Sequence, residues 1–410
     1  MRIAIIGGGP AGMMCAATLA EVRPTANVFL IERNPELGKK VMISGGGRCN
    51  VTTGIQDVKT VLTNYPRGGK FLTSAMFAFP PFATFEWFES HGVPLKTQDD
   101  NRVFPKSDDG ADIVRVFEKI FEQSGVHVML NTTVERVEKV GAEFFVHFRG
   151  QSDPLIADAL VLTTGGQAYR QTGSQGDGYA FAQSLGHTIT PLAPSLNAFF
   201  TKEHWPARLS GLSWKCATLT AHCSEKKSFT GPFLFTHKGV SGPAVFALSS
   251  LVAFEDYGEK NPLSISIDLF PDMRLDELQV DLQHFMHEHR KKTIGNVLCM
   301  YVPKSLSEIA LELTKIDTST SASDLKKEEF IRLCDWLKGI PLSVMHRGSG
   351  DEFVTAGGVN LEEVDPSTLQ SKLCPGLYFA GEILDIDGFT GGFNLQASWA
   401  AGRLVGSKIT

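Results

Sequence analysis

Arg2-Ile3-Ala4-Ile5-Ile6-Gly7-Gly8-Gly9-Pro10-Ala11-Gly12 opens the chain. Met13-Met14-Cys15-Ala16-Ala17-Thr18-Leu19-Ala20 follows, and Asn27-Val28-Phe29-Leu30-Ile31-Glu32 completes the stretch that decides the fold. The apolar run predicts a buried strand, the small and unbranched residues a helix, and the second apolar run another strand. Strand, glycine turn, helix, strand, acid is a mononucleotide-binding unit. Gly7 makes the tight turn, Gly9 lets backbone approach a pyrophosphate, and Gly12 lets the helix pack close on the strand. Phosphates then rest on the helix N-terminus, where unpaired N–H groups and the positive dipole end face them. Glu32 stands twenty residues after Gly12, at the spacing where a carboxylate takes hydrogen bonds from the adenosine ribose hydroxyls.

With 410 residues the chain exceeds what one hydrophobic core usually supports, so two or three domains are expected. A net charge of −6 gives no global pull toward nucleic acid, although a local basic patch is compatible with it. The seven cysteines are scattered and odd in number and form no CxxC pair, which predicts reduced thiols. The amino-terminal apolar run is too short for a secretory leader, and no segment reaches the length of a membrane span. A cytoplasmic protein is expected, with no membrane partner; the sequence sets no oligomeric state.

A second glycine cluster, Ser44-Gly45-Gly46-Gly47-Arg48-Cys49-Asn50, predicts a loop or helix start beside the cofactor, with Arg48 donating to phosphate or to a ring carbonyl. Cys49 invites a redox reading, but position 54 is glycine where a partner thiol would stand, so it reads as a small buried neighbour. The aromatic residues of 71–92 (Phe71, Phe77, Phe79, Phe82, Phe85, Trp87, Phe88) read as helix core. Asn101 to Ser107 reads as a polar turn, and Ile113, Val116, Phe117, Ile120 and Phe121 mark an amphipathic helix. Val126–Leu130 is a further strand. Thr133–Leu162 reads as three strands ending in Thr163-Thr164-Gly165-Gly166, and Tyr179–Leu185 as a helix.

From about Pro191 short alternating segments (197–201, 214–222, 264–268) predict a small β-barrel, rejoined by Ile340–Val344. Within it, Ser241 or Gly242 caps a helix with Pro243 in its first turn, and His237 and Lys238 sit in the preceding glycine loop. Residues 274–338 read as helical, with 318–323 a loop. His284, His287 and His289 do not share one helix face, so a solvated basic surface is expected there and no metal site.

The last block returns to the opening style. Gly376-Leu377-Tyr378-Phe379-Ala380-Gly381-Glu382 sets a carboxylate to bind polyol hydroxyls. Asp385 to Leu395 carries Gly391-Gly392 into a small-residue helix, Gln396–Gly406, whose N–H donors would face an anionic ring edge. Together these describe the ribityl chain and pyrimidine edge of a flavin, so FAD is expected, held by both ends of the chain. The fold class is then α/β. A Rossmann-like, glutathione-reductase-like FAD-binding domain (1–190 plus 346–410) is interrupted by a β-barrel insert (191–272 plus 339–345) and a helical insert (273–338). Residues expected at the cofactor are Gly7, Gly9, Pro10, Ala11, Gly12, Glu32, Arg33, Lys40, Ser44, Gly45, Gly46, Arg48, Cys49, Asn50, Val134, Thr164, Gly165, Gly166, Gly381, Glu382, Asp385, Gly391, Gly392, Phe393, Asn394 and Leu395.

Ser44–Asn50, Phe235-Thr236-His237-Lys238-Gly239-Val240-Ser241-Gly242-Pro243, Thr355-Ala356-Gly357-Gly358-Val359 and Gly376–Glu382 through Gly391–Gln396 resemble the bacterial BaiN/RdsA-type flavoproteins, in order along the whole chain. The resemblance implies an FAD domain interrupted by a barrel and a helical insert. It also implies one of three activities: reduction of a bile-acid carbon–carbon double bond, reduction of uridine in ribosomal RNA to dihydrouridine, or oxidation of aminoacetone. The leading expectation is reduction of a conjugated C=C bond by hydride transfer through flavin N5. NADH or NADPH would act as transient donor, since no second complete strand–glycine–helix unit occurs. Arg48, Arg102, His237 and Lys238 are the candidate catalytic residues. The substrate is then a small molecule or ribosomal RNA. An RNA substrate would need a basic face, to which Lys39, Lys40, Arg67, Lys70, Lys106 and Arg290-Lys291-Lys292 could contribute. An oxygen-using amine oxidase and a non-catalytic FAD-binding redox sensor are the remaining alternatives.

Overall fold

The opening apolar run forms β1 (Arg2–Ile6), the glycine turn leads into α1 (Pro10–Val22), and the second run forms β2 (Asn27–Ile31). With β3 (His127–Met129), β4 (Ala159–Leu162) and β5 (Leu377–Phe379) they make one sheet, in the order β5-β4-β1-β2-β3. All four pairings are parallel. Ile3, Ala4 and Ile5 are fully buried, as expected of a parallel strand covered on both faces. The computed structural model describes residues 1–348 and 353–409. It divides into two units, Met1–Ser195 with Glu352–Thr410, and Leu196–Asp351. Residues 349–352 and 410, part of the expected carboxyl-terminal segment 346–410, lie outside the described residues.

Both ends of the chain meet in the first unit. The carboxyl-terminal helix α5 (Phe393–Lys408) packs on α1 almost backbone to backbone. A Cβ at Gly402 would lie 2.3 Å from the Ala11 carbonyl oxygen. Small residues on both helices permit this approach, which no larger side chain would allow. Beneath it, the fully buried Trp399 stacks on Phe117 (5.6 Å between centroids) and donates from its indole N–H to the Val51 carbonyl at 2.9 Å. Gly402→Ala is therefore expected to destabilise the chain by about 1–3 kcal/mol, read as a lower Tm in thermal melts. An unchanged Tm would contradict this packing.

Helices α2 (Lys39–Ile43), α3 (Ala111–Ser124) and α4 (Asp177–Ser184) complete the elements that matter for the site. On α3, Ile113, Val116, Phe117 and Phe121 are buried, as their spacing predicts. Three local expectations are corrected. Arg102–Pro105 is a strand and not a polar turn. Val103 and Phe104 are buried by antiparallel pairing with Thr52–Thr53 and Leu95–Thr97. Residues 134–162 hold four strands: Val134–Val140, Glu143–Phe148 and Leu155–Ala157 form an antiparallel sheet, while β4 joins the parallel one. Among the aromatic residues of 71–92, Phe79, Trp87 and Phe88 are core, but Phe77 and Phe82 stand 56% and 46% exposed. Helices Thr73–Ala78 and Pro81–Ser90 are too short to bury every face.

The second unit is a closed six-stranded barrel. Its strands run in the order Phe199–Thr201, Gly239–Ser241, Lys227–Thr236, Ser213–Ala221, Leu263–Asp268, Ile340–Arg347. Gly242 caps helix Pro243–Leu251, with Pro243 at its first position. Four helices, Leu275–Glu288, Ile294–Tyr301, Lys304–Thr314 and Lys327–Lys338, follow between the last two barrel strands. They share one hydrophobic core with the barrel: Leu278, Leu306 and Leu333 join Leu219, Phe235 and Ile265. The strand Ala193–Ser195 pairs with Val354–Ala356 inside the first unit.

Candidate functional site

The site grows from the carboxyl edge of the parallel sheet, where open α/β folds bind their ligands. After β1 the chain turns through Gly7–Gly9, and α1 begins at Pro10 with no side chain capping its first turn. Its first N–H groups are thus free for an anion. The turn is built from both sides. A Cβ at Gly12 would lie 2.0 Å from the Gly7 carbonyl oxygen, and Thr163, just beyond β4, donates its hydroxyl to that oxygen at 2.8 Å. At Gly9 nothing lies within 4 Å of where a Cβ would be, so the backbone there is open to a close-fitting group.

Glu32 ends β2 with its carboxylate turned back on the turn. Oε2 accepts from the Gly8 N–H at 2.7 Å, and Oε1 accepts from the Asn34 N–H and side-chain amide, both at 2.8 Å. A carboxylate has about four acceptor positions, so one remains for a ribose hydroxyl. Arg33 pairs with Asp177 at the start of α4 (2.7 Å). Val134 is buried two residues after Thr132, whose N–H donates to the Glu32 carbonyl at 2.9 Å.

Opposite the turn, two segments far apart in the chain meet. Lys40 on α2 pairs with Glu382, just past β5, at 2.7 Å. The other Glu382 oxygen accepts from the Thr355 N–H at 2.9 Å. The Thr355 hydroxyl in turn accepts from the N–H groups of Gln167 and Ala168, at 2.7 and 3.1 Å. This ties the Thr164–Gly166 turn to Glu382. A small cleft opens beside them, lined by Gly381, Glu382, Ile386, Asn394 and Ser398 among others. The first turn of α5 follows from Gly391-Gly392, and no side chain caps its N–H groups.

The second glycine cluster continues from α2. Ser44 donates its hydroxyl to the Val41 carbonyl, and Cys49 donates its N–H to the Ser44 carbonyl. Cys49 is fully buried, and burial pushes its thiol up to about 12, which removes thiolate chemistry at ordinary pH. Asn50 accepts from the Val103 N–H at 3.1 Å, anchoring the loop to the strand that the sequence disguised as a turn. That anchoring brings Arg48 and Arg102 to one place. Their guanidinium carbons lie 4.1 and 5.6 Å from the centroid of the Phe104 ring. Arg102 also pairs with Asp100 at 2.7 Å.

Three of the residues expected at the cofactor also make bonds within the protein. Asn394 spends its amide on the loop before α5, accepting from the Gly388 N–H and donating to the Gly388 carbonyl, both at 2.8 Å. Asp385 accepts from the Thr190 hydroxyl at 3.1 Å, and burial raises its carboxyl above the usual range. Phe393 is buried, and its carbonyl accepts from the Tyr65 hydroxyl at 2.7 Å. His237 and Lys238 belong to the second unit. They form the exposed tip of the hairpin joining Lys227–Thr236 to Gly239–Ser241, with the Lys238 ammonium 5.0 Å from the Phe200 ring centroid.

Asn34, Thr355 and the pair of Arg67 with Asp387, which Ser195 supports by donating to the Asp387 carboxylate at 2.8 Å, are not among the residues expected at the cofactor. Thr355 lies in a glycine-flanked run and was open to notice; Arg67 and Asp387 carry no local signal.

The residues present fit an FAD-type ligand: a free helix N-terminus behind an open glycine, an acid with one acceptor position left, and a carboxylate beside a cleft. Fold and family together define the class, an FAD-dependent oxidoreductase on a dinucleotide-binding parallel sheet. The chain belongs to the HI0933-like family, whose model, described as the HI0933-like protein Rossmann domain, matches residues 1–408. It is 33% identical to the 3-dehydro-bile acid delta(4,6)-reductase of Clostridium scindens, over 99% of this chain and 98% of that one. It is 30% identical to the ribosomal RNA dihydrouridine synthase of Escherichia coli, over 97% and 95%. Among solved structures, the 3-ketosteroid delta1-dehydrogenase of Sterolibacterium denitrificans superposes with a TM-score of 0.53 at 13% identity, over 99% of this chain and 98% of that one. At that identity the likeness concerns the fold alone. Among the described residues no helix is long and apolar enough to cross a membrane.

Proposed function

We propose that this enzyme reduces a conjugated carbon–carbon double bond in a small, largely apolar molecule, with NADH or NADPH as electron source, in the cytoplasm. The observation that carries the reading is the 33% identity, over nearly the full length of both chains, to a protein named as a reductase of such a bond. Bound FAD supplies two-electron hydride chemistry. The chain's own part is to hold it and to polarise the substrate. The N–H groups at the start of α1 take the pyrophosphate and Glu32 the adenosine ribose. Glu382, paired with Lys40, takes the ribityl hydroxyls. The uncapped N–H groups at the start of α5 face negative charge on the ring edge. Arg48 and Arg102, gathered over Phe104, are the cationic donors for a conjugated carbonyl.

Anaerobic mixing tests this. NADH or NADPH should bleach the bound flavin, and an α,β-unsaturated ketone should restore the colour with release of the saturated ketone. Bleaching by simple amines and not by either nicotinamide would sink the proposal and favour an oxidase. Flavin reduced by no donor would favour a sensor.

A second reading, reduction of uridine in ribosomal RNA, is supported by the Escherichia coli relative and by a Haemophilus influenzae one that is 29% identical. Two of the basic residues proposed for RNA are already engaged, Lys40 with Glu382 and Arg67 with Asp387. The phosphate contacts would then fall to Lys39, Lys70, Lys106 and Arg290–Lys292. Retention on RNA that weakens steeply with salt would support this reading.

A further inference from the structure

Beside β5, three polar side chains form a chain of hydrogen bonds that the proposed reaction does not use. His187, just after α4, has a fully buried side chain. Its Nδ1 lies 3.0 Å from Glu363 Oε2, and its Nε2 lies 2.8 Å from Ser371 Oγ. The Ser371 oxygen also accepts from the N–H groups of Leu373 (3.0 Å) and Cys374 (2.7 Å). The ring packs edge-on against Phe379, the last residue of β5, with centroids 4.7 Å apart.

This arrangement admits one proton distribution. Glu363 as a carboxylate only accepts, so Nδ1 carries a hydrogen and donates. Both lone pairs of Ser371 Oγ are taken by amides, so its hydroxyl must donate to Nε2, which must be bare. The neutral imidazole satisfies every partner. A second ring proton would point Nε2–H at an oxygen with no acceptor position left, and the Ser371 turn would have to open. That turn also carries the bridge between Gln370 and Tyr378, and Phe379 N–H bonds to the Leu369 carbonyl. Phe379 stands three residues before Glu382.

We propose that His187 is a positioning residue for the cofactor-holding edge of the sheet: its neutral ring, clamped between Glu363 and Ser371, fixes the end of β5 and so Gly381 and Glu382, and its protonation loosens them. The inference rests on the reading of Glu382 as a flavin contact. Burial favours the neutral ring more than the nearby Glu363 charge opposes it, which holds the imidazole below its ordinary value of 6.5. A group depressed on folding stabilises the folded state above its unfolded value, and that stability is lost as pH falls through the folded value. The window therefore lies below about pH 6.5. Other charged groups nearby are Lys372, which donates to the Glu362 carbonyl, and Lys139, which donates to the Pro375 carbonyl.

The test is FAD affinity, by quenching of flavin fluorescence, and the Tm of flavin-free protein, each from about pH 7.5 to about pH 5.5. In the wild type both should fall with acidification. His187→Gln, neutral at every pH, should flatten both profiles; a wild-type profile in this variant would overturn the proposal. Glu363→Gln keeps an acceptor for Nδ1–H and removes the charge that favours protonation, so the acid loss should move to lower pH. An unmoved or upward-shifted profile overturns it equally, and this test stands even where His187→Gln fails to fold. Glu382→Gln separates the premises. Unchanged FAD affinity there would show that the flavin contact was misread, while the Tm profiles still decide whether His187 is the latch.

Discussion

Gly12→Val is expected to yield a protein that purifies without flavin. The added side chain starts 2.0 Å from the Gly7 carbonyl oxygen and 2.7 Å from the Thr163 hydroxyl, both inside the turn that aims the first N–H groups of α1. Neither neighbour is free to move. Gly7 donates its N–H to the Ile31 carbonyl at the end of β2, and Thr163 donates its own to the Ile6 carbonyl of β1. Overpacking of this kind costs about 1–3 kcal/mol, and nearly all of it falls on the geometry of the phosphate-facing turn. FAD affinity should therefore drop roughly 10- to 100-fold. The measurement is flavin stoichiometry after purification and the dissociation constant on adding FAD back, with far-ultraviolet dichroism to show that the chain is folded. Stoichiometric flavin in the folded variant would show that the turn does not face the phosphates.

The second large effect is expected at Glu382. Its carboxylate holds Lys40 and the Thr355 N–H, and through Thr355 it steadies the Thr164–Gly166 turn. Hydrogen bonds to a charged group contribute about 1.5–3 kcal/mol each. Glu382→Ala should therefore weaken FAD binding roughly 100-fold and leave Lys40 unpaired. Lys40→Met should weaken it less, because Glu382 keeps its backbone donor. The double variant should fall short of the sum, the sign of two residues acting as one unit. Additive losses would mean that the two residues act on the cofactor independently and not as a pair. Full affinity in Glu382→Ala would remove the residue from the site altogether.

The nucleotide half of the site was readable because its signals are local. β1, the turn, α1, β2 and Glu32 follow one another within thirty-two residues, at spacings that the chemistry of a pyrophosphate and a ribose dictates. The return of the carboxyl-terminal block to the same sheet was readable for the same reason: Gly381-Glu382 and Gly391-Gly392 each carry their own pattern. The partners that lock the two halves together were not. Lys40 and Glu382 are separated by 342 positions, and no periodicity links them. Arg102–Pro105 passed for a turn because its buried part is three residues long and its burial comes from pairing with Thr52–Thr53, an even shorter strand. Nor does the sequence show that the Asn394 side chain bonds to the Gly388 backbone, six positions before it. His187, Glu363 and Ser371 drew no notice at all, since a lone histidine, a surface-like acid and a serine announce nothing until the fold puts them within hydrogen-bond reach.

The two ends of the chain are expected to close on a single FAD molecule. Hydrogen exchange read by mass spectrometry, with and without FAD, tests it most directly. The prediction is that FAD slows exchange in peptides covering Gly7–Gly12 and in those covering Gly381–Leu395, over the same range of FAD concentrations. Protection confined to one end of the chain, or two segments protected at unrelated concentrations, would contradict it.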